Sequence, residues 1–221
     1  MHDVNGEKTT SAVAKLNQQL PLTARQRRLP EPLAAAHRAM LRSLAERGRP
    51  LDAEELAALV GTRDTAGALE RLGKDDLVVL NSDGTAVGAY PMTIEDTPHR
   101  LRVNGRPVHA MCALDAVSVG PMFDAEVAIE SRCAVTGEPI RIRQRGAQIL
   151  AAEPSDDVRV GVRWQQPEGH AAHSMCMEMV FLKDGETARR WLATGEGEDK
   201  SQYTLDDAVA FGAGFFLPLV E

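Results

Sequence analysis

Aromatic side chains are scarce in this sequence: five Phe, two Tyr and two Trp occur among its 221 residues. A hydrophobic core must therefore consist mainly of aliphatic side chains. The hydrophobic fraction of 43% and the charged fraction of 26% are ordinary for a globular chain and exclude collagen, a coiled coil and disorder throughout. A chain of this length is expected to form one large domain, or a small domain joined to a medium one.

The sequence also lacks a hydrophobic run long enough to cross a membrane. The longest uncharged apolar run, residues 208–220, is interrupted by Gly and Pro, and it falls well short of the ~20 residues that a spanning helix needs. The first ten residues, MHDVNGEKTT, are polar and do not resemble a secretory signal. We therefore expect a cytoplasmic protein with no membrane partner.

Positive charge is in deficit overall, with a formal net charge of −7, but it is unevenly distributed. Residues 1–50 carry nine Lys or Arg and four Asp or Glu, which is +5, so the remainder carries −7 − 5 = −12. A predominantly acidic chain is repelled by phosphate backbones. We therefore expect no nucleic-acid partner.

Three segments can be distinguished along the chain. Residues 1–32 are predicted to form an N-terminal extension, either a free arm or a docked helix. Residues 33–90 show three short helical patterns and then two strand patterns, the order of a winged helix-turn-helix. Residues 91–221 mix short strands with helices and are predicted to form a domain with a largely antiparallel sheet. The predicted fold class is therefore α+β.

The predicted winged helix-turn-helix raises the question of DNA binding. Its second helix begins at a capping box made by Asp52 and Glu55. Its third helix, within residues 63–76, would read the bases, but this segment carries a net charge of −1 and has no Asn or Gln. These features favour a packing module. A winged-helix regulator that senses metals through its cysteines is kept as an alternative.

Cysteine is rare: the three residues are Cys112, Cys133 and Cys176. An odd number, without closely spaced pairs, matches neither a disulfide framework nor a zinc-finger pattern, and a reducing cytosol is the natural setting. A buried cysteine usually acts as a small apolar residue. We interpret Cys133 in this way because it precedes a turn signal at Thr136-Gly137.

Cys112 is predicted to lie at a transition from a strand to a helix, with Asp115 about one helical turn later. A helix start lowers the pKa of a thiol, which makes the thiol a better nucleophile and a better ligand for soft metals. We therefore expect a lowered pKa for Cys112. From the pattern alone, a buried structural cysteine beside a first-turn carboxylate remains the alternative.

Cys176 lies in residues 174–182, where alternation predicts a strand. This strand would place Cys176 on one face and Met175, Met177 and Met179 on the other. His170, His173 and Cys176 offer three zinc-ligand types, but at a spacing of three residues they would not converge on a strand. We therefore disfavour a zinc site here.

Four ordered motifs in the sequence resemble those of the organomercurial (alkylmercury) lyases. They are Cys-Ala-Leu-Asp at 112–115, Ser-Arg-Cys-Ala-Val-Thr-Gly at 131–137, Ser-Met-Cys and an apolar segment at 174–181, and Ala-Phe-Gly at 210–212. The resemblance spans residues 33–217 and is strongest over 83–182. Four motifs in order are far more specific than any one alone.

This resemblance implies an enzyme that cleaves the carbon–mercury bond by protonolysis, giving a hydrocarbon and Hg(II). Cys112 and Cys176 would be the mercury-binding thiolates, Asp115 the proton carrier and a further candidate metal contact, and Cys133 a structural residue. No organic cofactor is implied. Small thiols would release Hg(II), and mercuric reductase is the implied acceptor.

Two residues depart from the pattern of the family that the sequence resembles. Met111 stands where well-known members carry an aromatic residue, and Met177 stands where some members carry a second cysteine. Neither departure removes Cys112, Asp115 or Cys176. A non-catalytic mercury-sequestering protein stays as a further alternative, because sequestration needs the cysteines but not the carboxylate.

Overall fold

Eight α-helices and eleven β-strands are assigned within residues 4–61, 64–195 and 198–221, the parts of the chain that the computed structural model describes. The helices are α1 (Val4–Gln19), α2 (Leu22–Arg27), α3 (Glu31–Arg47), α4 (Ala53–Val60), α5 (Thr65–Lys74), α6 (Ala113–Phe123), α7 (Gly185–Leu192) and α8 (Leu205–Phe216). The strands are β1 (Val79–Leu80), β2 (Ala86–Ala89), β3 (Met92–Thr93), β4 (His99–Val103), β5 (Arg106–Ala110), β6 (Glu126–Arg132), β7 (Pro139–Arg145), β8 (Gln148–Glu153), β9 (Arg159–Arg163), β10 (Met179–Leu182) and β11 (Lys200–Thr204).

The strands form two sheets in which every pair is antiparallel. The larger sheet has the order β1-β2-β3-β5-β4-β6-β7-β8, and the smaller has the order β10-β9-β11. Along β6 and β7, buried and exposed side chains alternate, as expected where one sheet face covers a core. The predicted α+β class with a largely antiparallel sheet is confirmed.

Helix α6 is the central helix of the fold and is buried along nearly its whole length. It packs between the larger sheet and α8. A Cβ atom on Gly212 of α8 would lie 1.9 Å from the Oγ of Ser118, so the two helices can approach this closely only with glycine at that position. A helix that is apolar on all sides is expected at such a place.

The N-terminal extension, as far as it is described, consists of α1 and α2 docked on the rest of the chain. Leu16 and Leu20 are buried, and α1 packs against α8. The amide of Gln26 donates a hydrogen bond to the carbonyl of Leu219 at 2.8 Å, and its Nε2 lies 2.8 Å from the Nδ1 of His37. Apolar burial and buried hydrogen bonds thus hold α1 and α2 against the C-terminal part of the chain.

The helices and the hairpin of the predicted winged helix-turn-helix are present, but the winged-helix assignment is not confirmed. The capping box forms as predicted: the N–H of Glu55 donates to Asp52, and the Glu55 carboxylate accepts from the N–H of Asp52. Strand β2 continues through β3 into the larger sheet. Residue 63, within the predicted third helix, lies outside the described residues. The domain boundaries after residues 32 and 90 stay predictions.

Two strands, β8 and β11, were not predicted from the sequence. Each is an edge strand of its sheet, and both carry mostly polar or half-exposed side chains. Edge strands show weaker apolar alternation because one side has no partner. Within the described residues, no helix has the length and hydropathy to cross a bilayer.

Candidate active site

Cys112 caps the N-terminus of α6, and one residue separates it from the end of strand β5. Its backbone is extended, with φ −151° and ψ 179°, and its Sγ accepts a hydrogen bond from the N–H of Asp115 at 3.3 Å. A thiol thus takes the capping position that Ser, Thr, Asp or Asn usually fills. The predicted transition from strand to helix at this residue is confirmed.

Asp115 is the third residue of α6, and only 1% of its surface is exposed. Its Oδ2 has no hydrogen-bond partner among the described residues. Burial raises the pKa of this carboxyl to about 7, although hydrogen bonds with Cys112 and Cys176 act in the opposite direction. Asp115 can therefore be protonated or ionised near neutral pH.

Cys176 lies in a 3₁₀ turn, Met175–Glu178, and not in the strand predicted for residues 174–182. The strand begins only at Met179. The predicted alternation is therefore wrong at the methionines: Met175 is buried, whereas 62% of Met177 is exposed. The N–H of Met177 donates a hydrogen bond to the carbonyl of Ser174 at 3.1 Å, which closes a turn, and does not pair with a neighbouring strand.

Asp76 and Tyr90 anchor the segment that leads to this turn. The N–H of Ala171 donates to Asp76 Oδ2 at 3.2 Å, and the N–H of Ala172 donates to the Tyr90 hydroxyl at 2.8 Å. The Tyr90 hydroxyl in turn donates to Asp76 Oδ1 at 2.9 Å. Two buried side chains thus satisfy backbone donors close to Cys176. Sequence reasoning missed both residues, because nothing local marks a partner more than 80 residues away.

The side chain of His170 also contacts Asp76, with its Nδ1 2.8 Å from Oδ1. His173 lies instead beside Glu95, with its Nε2 3.2 Å from a carboxylate oxygen. In the described part of the chain, the one group of three candidate metal ligands is Cys112, Asp115 and Cys176. The disfavoured zinc site of His170, His173 and Cys176 is thus not assembled.

The donor atoms of Cys112, Asp115 and Cys176 all lie within 4.8 Å of one another, and all three side chains are buried. Burial raises the pKa of Cys112 well above its ordinary value, and hydrogen bonding to Cys176 and the charge of Asp115 add to this effect. The prediction of a lowered pKa for Cys112 is therefore wrong, because loss of solvation outweighs the helix terminus.

The pKa of the Cys176 thiol is set by a different combination of effects. Its hydrogen bond with Cys112 lowers its pKa, but burial and the negative charges of Asp115 and Asp76 together outweigh that effect, so the net pKa is raised. Both thiols are accordingly protonated in the resting site at neutral pH. A reaction that needs thiolates must therefore remove their protons.

A cavity of about 540 Å³ opens beside this group. Six of its lining residues are His99, Met111, Cys133, Cys176, Met179 and Phe181. Cys112 and Asp115 do not line it and lie deeper in the protein. A molecule that enters the cavity therefore meets Cys176 before it meets the other two residues.

Cys133 lies in the predicted turn and is buried, but it does not belong to the three-residue group. The turn is closed by a hydrogen bond from the N–H of Gly137 to the carbonyl of Cys133 at 2.8 Å. Burial raises the pKa of this thiol, but hydrogen bonds from Thr136, Val135 and Lys183 outweigh the effect and leave the pKa below its ordinary value. All three cysteines are free thiols.

The comparison with known families agrees with these features. The family model of the alkylmercury lyases matches residues 92–216, more than half of the chain. This chain belongs to the alkylmercury lyase family. The matched segment includes Cys112, Asp115, Cys133 and Cys176. The family and the enzyme class predicted from the four motifs are confirmed.

Individual alkylmercury lyases are similar over most of their length. The protein of Bacillus cereus is 31% identical over 177 residues, and that of Staphylococcus epidermidis is 29% identical over 177 residues; each alignment covers 79% of this chain and 78% of the relative. The protein of Pseudomonas putida is 27% identical over 170 residues, covering 76% and 77% respectively.

The fold of this alkylmercury lyase family member is similar to a crystal structure of the mercury-bound form of MerB2. The TM-score is 0.76 at 24% sequence identity, and the superposition covers 90% of this chain and 98% of that one. At this identity the likeness concerns the fold.

Proposed function

We propose that this lyase breaks carbon–mercury bonds by protonolysis, with Cys112 and Cys176 as mercury ligands and Asp115 as proton carrier. The observation that carries the proposal is the convergence of two thiols and one carboxyl within 4.8 Å, beside a cavity with a largely apolar wall. Organomercurials combine a soft metal with an apolar organic group. The two thiols match the soft metal, and the apolar cavity wall matches the organic group.

The thiols supply the ligands that mercury prefers, since soft metals select sulfur donors. Cys176 lines the cavity and would contact the substrate first, with Cys112 behind it. Both thiols have raised pKa values, so a base must take their protons before they bind. Asp115, with a pKa of about 7, is suited to accept a proton and then to donate it.

The proposed reaction balances with the groups that the site contains. An organomercury cation and two thiols give a hydrocarbon, Hg(II) bound by two thiolates, and one proton released to solvent. The carbon–mercury bond breaks with its electron pair left on carbon, and a proton carried by Asp115 forms the new carbon–hydrogen bond. Two sulfur donors raise the electron density on mercury, which makes the departing carbon basic enough to be protonated.

Release of Hg(II) would follow by thiol exchange. Two small thiols replace Cys112 and Cys176 on mercury and restore the protein thiols. No organic cofactor enters this scheme. Mercuric reductase is proposed as a further acceptor of Hg(II), on the basis of the family resemblance.

The test is to incubate the chain with methylmercury and excess small thiol and to measure methane in the headspace. Methane is expected from the wild type and is expected to be lost in Cys112→Ser and Cys176→Ser. Met177→Leu is a suitable control, because Met177 also lines the cavity but is largely exposed. A wild-type chain that binds mercury without releasing methane would be a sequestering protein, and the proposal would be wrong.

A further inference from the structure

Met179 places a thioether beside the deeper of the two site thiols. Its Sδ lies 3.7 Å from the Sγ of Cys112, and its side chain is 3% exposed. Met179 is the first residue of β10 and follows Cys176 by three positions, so the turn that carries Cys176 also brings this sulfur to the site. Met179 and Cys176 both line the cavity.

A thioether is a neutral, soft donor. Proteins use a methionine sulfur as a weak and long third or fourth contact to metals that are already held by thiolate. A metal bound to Cys112 would sit roughly 2.3 Å from its Sγ, by analogy with zinc–thiolate bonds. A second sulfur 3.7 Å from the same Sγ can therefore reach the bound metal through a small rotamer change.

The remaining oxygen donor at the site is less suited to mercury. Asp115 offers a carboxylate, which is a hard ligand and prefers metals such as Mg²⁺ or Ca²⁺. The sulfur of Met179 is therefore the better third donor.

We propose that Met179 is a third sulfur ligand of the mercury that Cys112 and Cys176 hold. This inference rests on the proposed function for the assignment of those two cysteines. The Sδ of Met179 donates a lone pair to mercury, and no proton moves. Because a thioether is neutral, the complex of Hg(II) with two thiolates stays neutral. The expected consequences are tighter retention of Hg(II) and more electron density on mercury while carbon departs.

The direct test is X-ray absorption at the mercury edge of protein loaded with one equivalent of Hg(II). The wild type is expected to show three sulfur neighbours, one at longer distance, and Met179→Leu is expected to show two. Leucine keeps nearly the same volume, so packing is largely preserved. Met175→Leu is the matched control, because Met175 is buried in the same segment and does not line the cavity; it should keep the third sulfur.

A kinetic measurement uses the same variants. Transfer of bound Hg(II) to excess small thiol should be several-fold faster from Met179→Leu than from the wild type or Met175→Leu. If Met179→Leu fails to fold, the wild type can be labelled with selenomethionine and measured by X-ray absorption at the selenium edge. Loading this protein with Hg(II) should then add a mercury atom to the neighbours seen from selenium.

Two sulfur neighbours in the wild type, with no mercury seen from selenium, would overturn the inference and make Met179 a packing residue. This outcome is separable from failure of the proposed function, because Hg(II) loading requires no bond cleavage. Methane release together with only two sulfur neighbours would refute the Met179 ligand and leave the proposed lyase reaction standing. A third sulfur neighbour without methane release would refute the lyase reaction and leave the Met179 ligand standing.

Discussion

The N–H of Asp115 donates a hydrogen bond to the Sγ of Cys112 at 3.3 Å, so the residue that caps α6 is also a proposed mercury ligand. The cap fixes the direction of the thiol at a rigid helix end. It also places the Asp115 carboxyl on the first turn of the same helix, beside that sulfur. The proposed ligand and the proposed proton carrier are thus positioned by one local structure.

Asp115→Asn should reduce methane release from methylmercury by at least ~100-fold while Hg(II) still binds, because general acid–base groups contribute about 10²- to 10⁴-fold. Asparagine keeps the shape and loses the transferable proton. Asp206→Asn, an exposed residue on the first turn of α8, is the control and should behave as the wild type. Normal turnover by Asp115→Asn would exclude Asp115 as the proton carrier.

The buried carboxyl of Asp115 should also make stability depend on pH. Its folded pKa of about 7 lies above the ordinary 3.8, so between these values the folded chain retains a proton that the unfolded chain has lost. The free energy of unfolding therefore falls as pH rises through this window. Between pH 5 and 7, Asp115→Asn should gain roughly 2 kcal/mol relative to the wild type.

Urea unfolding of the two proteins at several pH values measures this difference, and other titrating groups largely cancel in the comparison. A constant difference between pH 5 and 7 would mean that Asp115 ionises in the folded chain as it does in the unfolded chain.

Tyr90→Phe should lower the turnover number, because the Tyr90 hydroxyl holds the N–H of Ala172 near the turn of Cys176. A stability loss of about 1–3 kcal/mol is expected from the buried donor left unpaired. Tyr203→Phe, the other tyrosine of the chain, is buried on β11 and should lose no turnover per folded molecule. Equal turnover numbers in both variants would leave Tyr90 with a purely structural role.

Cys133→Ser should cost about 1–3 kcal/mol of stability, as expected for a polar hydroxyl at a buried thiol position, with little change in turnover per folded molecule. Thermal unfolding and methane release from the same preparation give the two quantities. A well-folded Cys133→Ser protein without activity would instead bring Cys133 into the mercury chemistry, since its side chain lines the cavity with Cys176.

The position of Cys112 could be predicted because its determinants are local. A strand pattern, a cysteine and an apolar helical pattern follow one another within residues 107–119, and the helix start falls where this order changes. The capping box of α4 was predictable for the same reason. Short-range patterns of this kind do not depend on where the rest of the chain lies.

The conformation around Cys176 could not be read from local sequence. Residues 174–182 alternate as a strand does, but hydrogen bonds from Ala171 and Ala172 to Asp76 and Tyr90 hold the preceding segment in a turn. The raised pKa of Cys112 is likewise a tertiary effect, because it follows from the sheet and helices that exclude water from the site. The motifs could identify the residues of the candidate site, but they could not predict that the fold excludes water from it.

The most direct test of the central claim is to run the methylmercury reaction in deuterium oxide and to analyse the released gas by mass spectrometry. Protonolysis through exchangeable groups at Cys112, Asp115 and Cys176 predicts methane that carries a single deuterium, and its loss in Asp115→Asn. Release of undeuterated methane, or no methane above a protein-free control with the same thiol, would contradict the account.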